Sequence, residues 1–202
     1  VIQFDANGNL LAWMTDRYGS PRLHIRNLLD QDIPITRIPL EAAQGFVPMM
    51  AFSPTGETIA AIHGNGNLTV WEIDTVFPLV QIPFPDTNYQ RLAYTPDGDS
   101  LAYSAGGLGI HVIDIASGTD TILSKTGYFV LALAYSPDGS VLAVGGIDSI
   151  LLLDASSGDI LATMGDVIPY IGQLHFSMDG NYLISASSDG TVRLWGIPSP
   201  PS

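Results

Sequence analysis

Phe176-Ser177-Met178-Asp179-Gly180, followed by Leu183 and by Ser187-Ser188-Asp189-Gly190-Thr191-Val192-Arg193-Leu194-Trp195, carries the architecture of the whole chain, because the chain repeats it. Earlier versions of its first phrase are Phe52-Ser53-Pro54-Thr55-Gly56, Tyr94-Thr95-Pro96-Asp97-Gly98 and Tyr135-Ser136-Pro137-Asp138-Gly139, with a weaker one at Phe4-Asp5-Ala6-Asn7-Gly8. The aromatic anchors stand 48, 42, 41 and 41 residues apart, the length of a unit of four short strands. Within each phrase Pro presets φ, Asp accepts local backbone bonds and Gly supplies positive φ, so the phrase is a tight turn. Short apolar runs flank it on both sides. It therefore closes an antiparallel hairpin.

The strand before the turn is Met49 to Phe52, Arg91 to Tyr94, Leu131 to Tyr135 or Gln173 to Phe176, and the strand after it Thr58 to Ile62, Ser100 to Ser104, Val141 to Val144 or Tyr182 to Ser187. A third strand follows at Leu68 to Ile73, Gly109 to Ile115, Ser149 to Leu153 and Thr191 to Leu194. A fourth, more exposed one follows at Leu79 to Ile82, Thr119 to Leu123 and Asp159 to Met164, and the first repeat ends in Leu23 to Leu28 and Ile35 to Ile38. The strands are short and rich in Val, Ile, Tyr and Thr, and no segment carries a helical period. A β-sandwich with an accidental repeat is the competing architecture.

The repeat resembles the WD-repeat β-propeller family, whose phrase is Phe-Ser-Pro-Asp-Gly-x-x-Leu-Ala followed by Ser-x-Asp-Gly-x-Val-x-Leu-Trp. The resemblance implies an all-β propeller of about five four-stranded antiparallel blades, with repeats near 1–39, 46–83, 89–124, 129–165 and 170–197 and a Pro/Ser-rich tail at 198–202. The repeats are degenerate. At the family's Trp-Asp dipeptide stand Trp71-Glu72, Ile113-Asp114, Leu153-Asp154 and Trp195-Gly196, and the Gly-His pair that opens a repeat is absent. In the family that His links a turn Asp, a strand Ser or Thr, and the Trp, so blades here are expected to hold mainly by apolar packing. The expected last blade lacks its outer strand, since Pro198-Ser199-Pro200-Pro201 cannot supply the donors of a sheet edge. The expectation is an open or partial ring, the C-terminal part of a larger propeller with two further repeats before Val1.

The 202 residues carry 20 acids against seven bases and no cysteine, giving a net charge of −13. That balance argues against nucleic acid and anionic membrane surfaces as partners. Absent cysteine removes disulfide scaffolds, thiolate metal sites and cysteine nucleophiles. The longest uninterrupted apolar run, Tyr128 to Tyr135, is too short for a membrane span. A soluble, cytoplasmic setting is the expectation.

Catalytic constellations are not legible. His24, His63, His111 and His175 fall at unrelated repeat positions without metal-ligand spacing. Five-bladed propellers include glycoside hydrolases, which need two carboxylates facing each other. The innermost strands, Val1-Ile2-Gln3, Met49-Met50-Ala51, Arg91-Leu92-Ala93, Leu131 to Ala134 and Gln173-Leu174-His175, contain no Asp or Glu. Gly64-Asn65-Gly66-Asn67 and Gly106-Gly107-Leu108-Gly109 lack the following helix that a phosphate loop requires, and read as second turns. No cofactor is expected, and no enzymatic activity.

The two faces of the array differ. Residues 38–202 hold 16 acids and three bases, and eleven of those acids map to the face of the first and third turns. Asp is a turn former, which accounts for the pattern, while a negative face selecting basic partners is its functional reading. On the opposite face, where innermost strands begin, stand Phe46, Tyr89, Phe129 and Tyr170. Aromatic anchors of this kind suit a protein interface, or equally packing between blades. The expected function is a non-catalytic protein-binding or scaffolding module. A glycosidase-like propeller and the ligand-sensing region of a larger receptor or kinase are the alternatives.

Overall fold

A computed structural model describes residues 2–17, 20–30, 32–40, 49–63, 67–83, 91–104, 109–125, 129–165 and 170–197. They form nineteen strands and no helix. Sheet 1 is β1 (Ile2–Phe4), β2 (Leu10–Arg17), β3 (Ser20–Asn27) and β4 (Thr36–Pro39). Sheet 2 is β5 (Met49–Phe52), β6 (Thr58–His63), β7 (Asn67–Glu72) and β8 (Pro78–Ile82). Sheet 3 is β9 (Leu92–Tyr94), β10 (Ser100–Ser104), β11 (Ile110–Asp114) and β12 (Asp120–Ser124). Sheet 4 is β13 (Ala132–Tyr135), β14 (Val141–Gly145), β15 (Ile150–Asp154) and β16 (Ile160–Met164). Sheet 5 is β17 (Ile171–Phe176), β18 (Tyr182–Ser187) and β19 (Val192–Gly196). Every pairing is antiparallel between strands consecutive in the chain. The expected meander of five blades, the last with three strands, is what the described residues build.

The first turn is built alike in the last three sheets. In sheet 4, Ser136 Oγ donates to Asp138 Oδ1 and accepts from the Val141 amide, while Asp138 Oδ1 also takes the Ser140 amide. Thr95 with Asp97, and Ser177 with Asp179, repeat that arrangement. Gly98, Gly139 and Gly180 close these turns at φ of 81°, 74° and 72°, the left-handed conformation expected of them.

Between successive sheets lie four apolar layers. Leu23, Ile25 and Ile38 of sheet 1 meet Phe52, Ile59 and Trp71 of sheet 2. Ile62, Leu68 and Val70 meet Tyr94, Leu101 and Ile113. Ala102 and Ile110 meet Leu142, Val144 and Leu153, and Ala143, Ile150 and Leu152 meet Ile171, Leu174 and Leu183. Strand alternation sends neighbouring residues to opposite layers, so Leu68 and Val70 face sheet 3 while Trp71 faces sheet 1. Sheet 5 keeps one more polar contact, Trp195 Nε1 donating to Ser185 Oγ at 2.9 Å. One arm of the family's buried hydrogen-bonded linkage therefore survives there, beside the packing that dominates elsewhere.

The innermost strands touch in chain order, β1 to β5, β5 to β9, β9 to β13 and β13 to β17. Among the described residues no apolar layer joins sheet 5 to sheet 1. The outward face of sheet 5 leaves Val192 72% and Leu194 65% exposed, beside Tyr182 and Ile184. β17 begins at Ile171, two residues ahead of the expected Gln173, where Ile171 pairs with Ser187 of β18 and its amide donates to the Gly146 carbonyl just after β14. A register shift between Ile171 and Gln173 absorbs the extra length.

Candidate functional site

Two of the four expected rim aromatics, Phe46 and Tyr89, lie outside the described residues. Phe129 and Tyr170 are 50% and 53% exposed. Both meet the loop between β14 and β15. The Phe129 carbonyl lies against Gly146, whose own carbonyl takes the Ile171 amide, and the Tyr170 amide donates to Ile147 O at 3.1 Å. The Tyr170 carbonyl in turn accepts from the Ser188 amide, also at 3.1 Å.

Those two bonds hold Tyr170 at φ 37°, in the left-handed region that a bulky side chain avoids. Such a conformation costs of the order of 1–3 kcal/mol and persists only where the surroundings impose it. Here they fix the backbone of Tyr170 and leave its ring in solvent. The ring borders a cleft of about 470 Å³ whose wall includes Arg91, Leu131, Gln173, Ser187 and Ser188. Three sheets contribute. Arg91 precedes β9, Leu131 precedes β13, and the other residues belong to sheet 5.

Arg91 is anchored twice. Its amide donates to Ser104 Oγ at 2.8 Å and its carbonyl accepts from the Ser104 amide. Its guanidinium Nε donates to the Leu131 carbonyl of the next sheet. Burial lowers its pKa, as desolvation does for any cation. Arg91 is not among the site residues expected from the sequence. The available signal was a cation at the start of an innermost strand, in a stretch with only three bases.

Three of the histidines contact residues of their own sheets. His24 stacks on Trp13 with centroids 5.0 Å apart and contacts Thr15 Oγ1 at 2.8 Å. Burial, then the charges of Arg37 and Arg22, lower its pKa. His63 contacts Thr69 Oγ1 at 2.9 Å beside Trp71. His111 stacks on Tyr103 and approaches Asp120 at 3.2 Å, and the Tyr103 hydroxyl donates to the same carboxylate. Among the described residues no cluster of His, Asp and Glu is arranged to hold a metal.

Five acids of the opposite face are engaged in their turns. Bonds from Ser156, then Ser157, pull Asp154 down to about 2. Bonds from Ser117 lower Asp114, and the hydroxyls of Thr95, Ser136 and Ser177 lead the lowering of Asp97, Asp138 and Asp179.

The WD domain, G-beta repeat family model matches residues 115–153 and 168–196. The first match runs from β12 through β15, so one repeat takes the last strand of one sheet and the first three of the next. Those residues carry WD repeats. WD repeat-containing protein SL1-17 of Schistosoma mansoni is 26% identical over 71% of this chain and 48% of its own length. Small ribosomal subunit protein RACK1y of Oryza sativa subsp. japonica is 25% identical over 78% of this chain and 49% of its own. Periodic tryptophan protein 2 of Arabidopsis thaliana is 35% identical over 48% of this chain and 11% of its own. This WD-repeat chain thus spans about half the length of the first two relatives. Among the described residues no helix is long and apolar enough to cross a membrane.

Proposed function

We propose that this WD-repeat chain is a non-catalytic protein-binding module. Its partner lies on the face where innermost strands begin, with Phe129 and Tyr170 as contacts and Phe46 and Tyr89 at the corresponding sequence positions. The observation that carries this reading is Tyr170, a strained residue whose backbone is over-determined and whose ring is left exposed beside a cleft. Large aromatic side chains concentrate binding energy at interfaces. A relative named as a small ribosomal subunit protein works within an assembly, the use proposed here. The glycosidase alternative needs paired carboxylates, and the described lining of the cleft offers neither Asp nor Glu.

The test is a pull-down from source cells with the wild-type chain, the Phe129→Ala/Tyr170→Ala variant and Met178→Ala as control. Met178 is 98% exposed on the first-turn face. The double variant should lose bound protein and the control should keep it. Retention by the double variant would remove this reading.

A further inference from the structure

We infer that a second cleft, between sheets 3 and 4 on the face of the first and third turns, receives a lysine side chain from a partner protein. That face lies opposite Phe129 and Tyr170, so the inference goes beyond the proposed partner face and does not depend on it. One repeat position decides the matter. The aromatic residue that opens each turn phrase faces the first residue of the second strand in the preceding sheet. In two gaps this pair is apolar, Leu10 sharing a layer with Phe52 and Val141 with Phe176. In the gap between sheets 2 and 3 it is polar and closed, since Thr58 Oγ1 donates to the hydroxyl of buried Tyr94 at 3.1 Å.

Between sheets 3 and 4 the same positions hold Ser100 and Tyr135, and both line a cleft of about 380 Å³. Ser100 bonds through its backbone, and among the described residues neither hydroxyl has a hydrogen-bond partner. Polar groups sheltered in this way are normally paired, so a ligand that bonds them is favoured. Charge selects its sign. Burial, then the charge of Asp97, pushes the Tyr135 phenol up to about 12, and Asp154 also lines the cleft. The turn bonds printed on Asp154 by the Ser156 and Ser157 groups fall on Oδ1. An ammonium carries three donors, matching Ser100 Oγ, the Tyr135 oxygen and the Asp154 carboxylate. Val112 and Ala155 offer apolar surface to the methylene stem. One carboxylate among hydroxyls suits this compact charge better than the planar fork of arginine.

The test uses the intact chain on an array of nonapeptides with a central Lys between small polar flanks, and matched peptides carrying norleucine, acetyl-lysine or Arg there, in about 0.15 M salt. Lys-centred peptides should be retained at least about tenfold better than the norleucine and acetyl-lysine peptides, and better than the Arg peptides. Tyr135→Phe keeps the ring and removes the hydroxyl. It should lower Lys retention at least about threefold and leave norleucine peptides unchanged. Ser100→Thr rebuilds the Thr58 arrangement in this gap, so Lys retention should fall there too. Asp154→Asn should weaken Lys retention more than Asp179→Asn, the same loss of charge in sheet 5 of the same face. Circular dichroism confirms that each variant is folded, and Tyr135→Phe decides the matter if Asp154→Asn is not.

Equal retention of Lys and norleucine peptides, Arg peptides retained as well as Lys peptides, or no retention of any Lys-centred peptide overturns the lysine socket. Equal losses in Asp154→Asn and Asp179→Asn, or Lys retention undiminished by Tyr135→Phe, reduce the effect to the general charge of the face and overturn it as well. The partner face at Phe129 and Tyr170 stands or falls separately, by its pull-down.

Discussion

Gly158 and Gly118 occupy the same third turn in adjacent sheets, at φ of 76° and 68°, yet their surroundings differ. A Cβ on Gly118 meets open space, while one on Gly158 would lie 1.9 Å from the Leu123 carbonyl oxygen of the neighbouring sheet. Gly118→Ala should therefore cost about 1 kcal/mol, the strain of a left-handed backbone alone. Gly158→Ala adds a backbone clash and should cost at least about 2 kcal/mol more, as read by urea unfolding. Equal costs would show that the two turns are not built against their neighbours as described. At Tyr170 the reasoning inverts. Its half-exposed ring contributes little burial, so Tyr170→Ala should cost under about 1 kcal/mol, and Phe129→Ala likewise. A penalty of about 3 kcal/mol or more for either would make it a core residue.

The element that recurs is the hydroxyl–carboxylate–glycine turn, and its chemistry makes the fold acid-sensitive. Asp97, Asp114, Asp138, Asp154, Asp179 and Asp189 are all held below the ordinary carboxylate range by local hydroxyls and amides. A carboxylate depressed in the fold contributes stability above its unfolded pKa and loses it as pH falls through the folded one. His24, kept neutral by burial and two arginines, acts in the same direction at higher pH. The unfolding midpoint should fall gently below about pH 6.5 and steeply between about pH 4 and 2. Asp97→Asn/Asp138→Asn/Asp179→Asn should flatten the steep limb. An unchanged limb would locate acid sensitivity elsewhere.

Across the whole molecule, apolar layers separate successive sheets, while the outward face of sheet 5 stays open. Leu183, fully buried between sheets 4 and 5, should lose about 2–5 kcal/mol on truncation to Ala. Val192 and Leu194, on the other side of that sheet, are exposed and should tolerate Thr within about 0.5 kcal/mol. Exposed apolar patches bind hydrophobic dyes and promote association. Val192→Thr/Leu194→Thr should therefore lower dye fluorescence and concentration-dependent light scattering at unchanged stability. Undiminished dye binding would place the open apolar surface elsewhere.

The repeat, the number of sheets, the hairpin turns and the three strands of sheet 5 among the described residues were legible from the residues alone. Each depends on contacts made within one repeat. Ser136, Asp138 and Gly139 complete their turn within a few positions, so their spacing is sufficient information. The acids outside the innermost strands were legible for the same reason. The cleft was not. It needs Arg91 beside Leu131, forty residues apart in sequence, and Tyr170 tied to Ile147 in one sheet and Ser188 in another. Those meetings follow from how two apolar layers set three sheets against one another. The left-handed backbone of Tyr170 likewise has no local cause, since tyrosine does not favour it. Local hydrogen bonding determined the blades, and packing between blades decided which of their residues share a site.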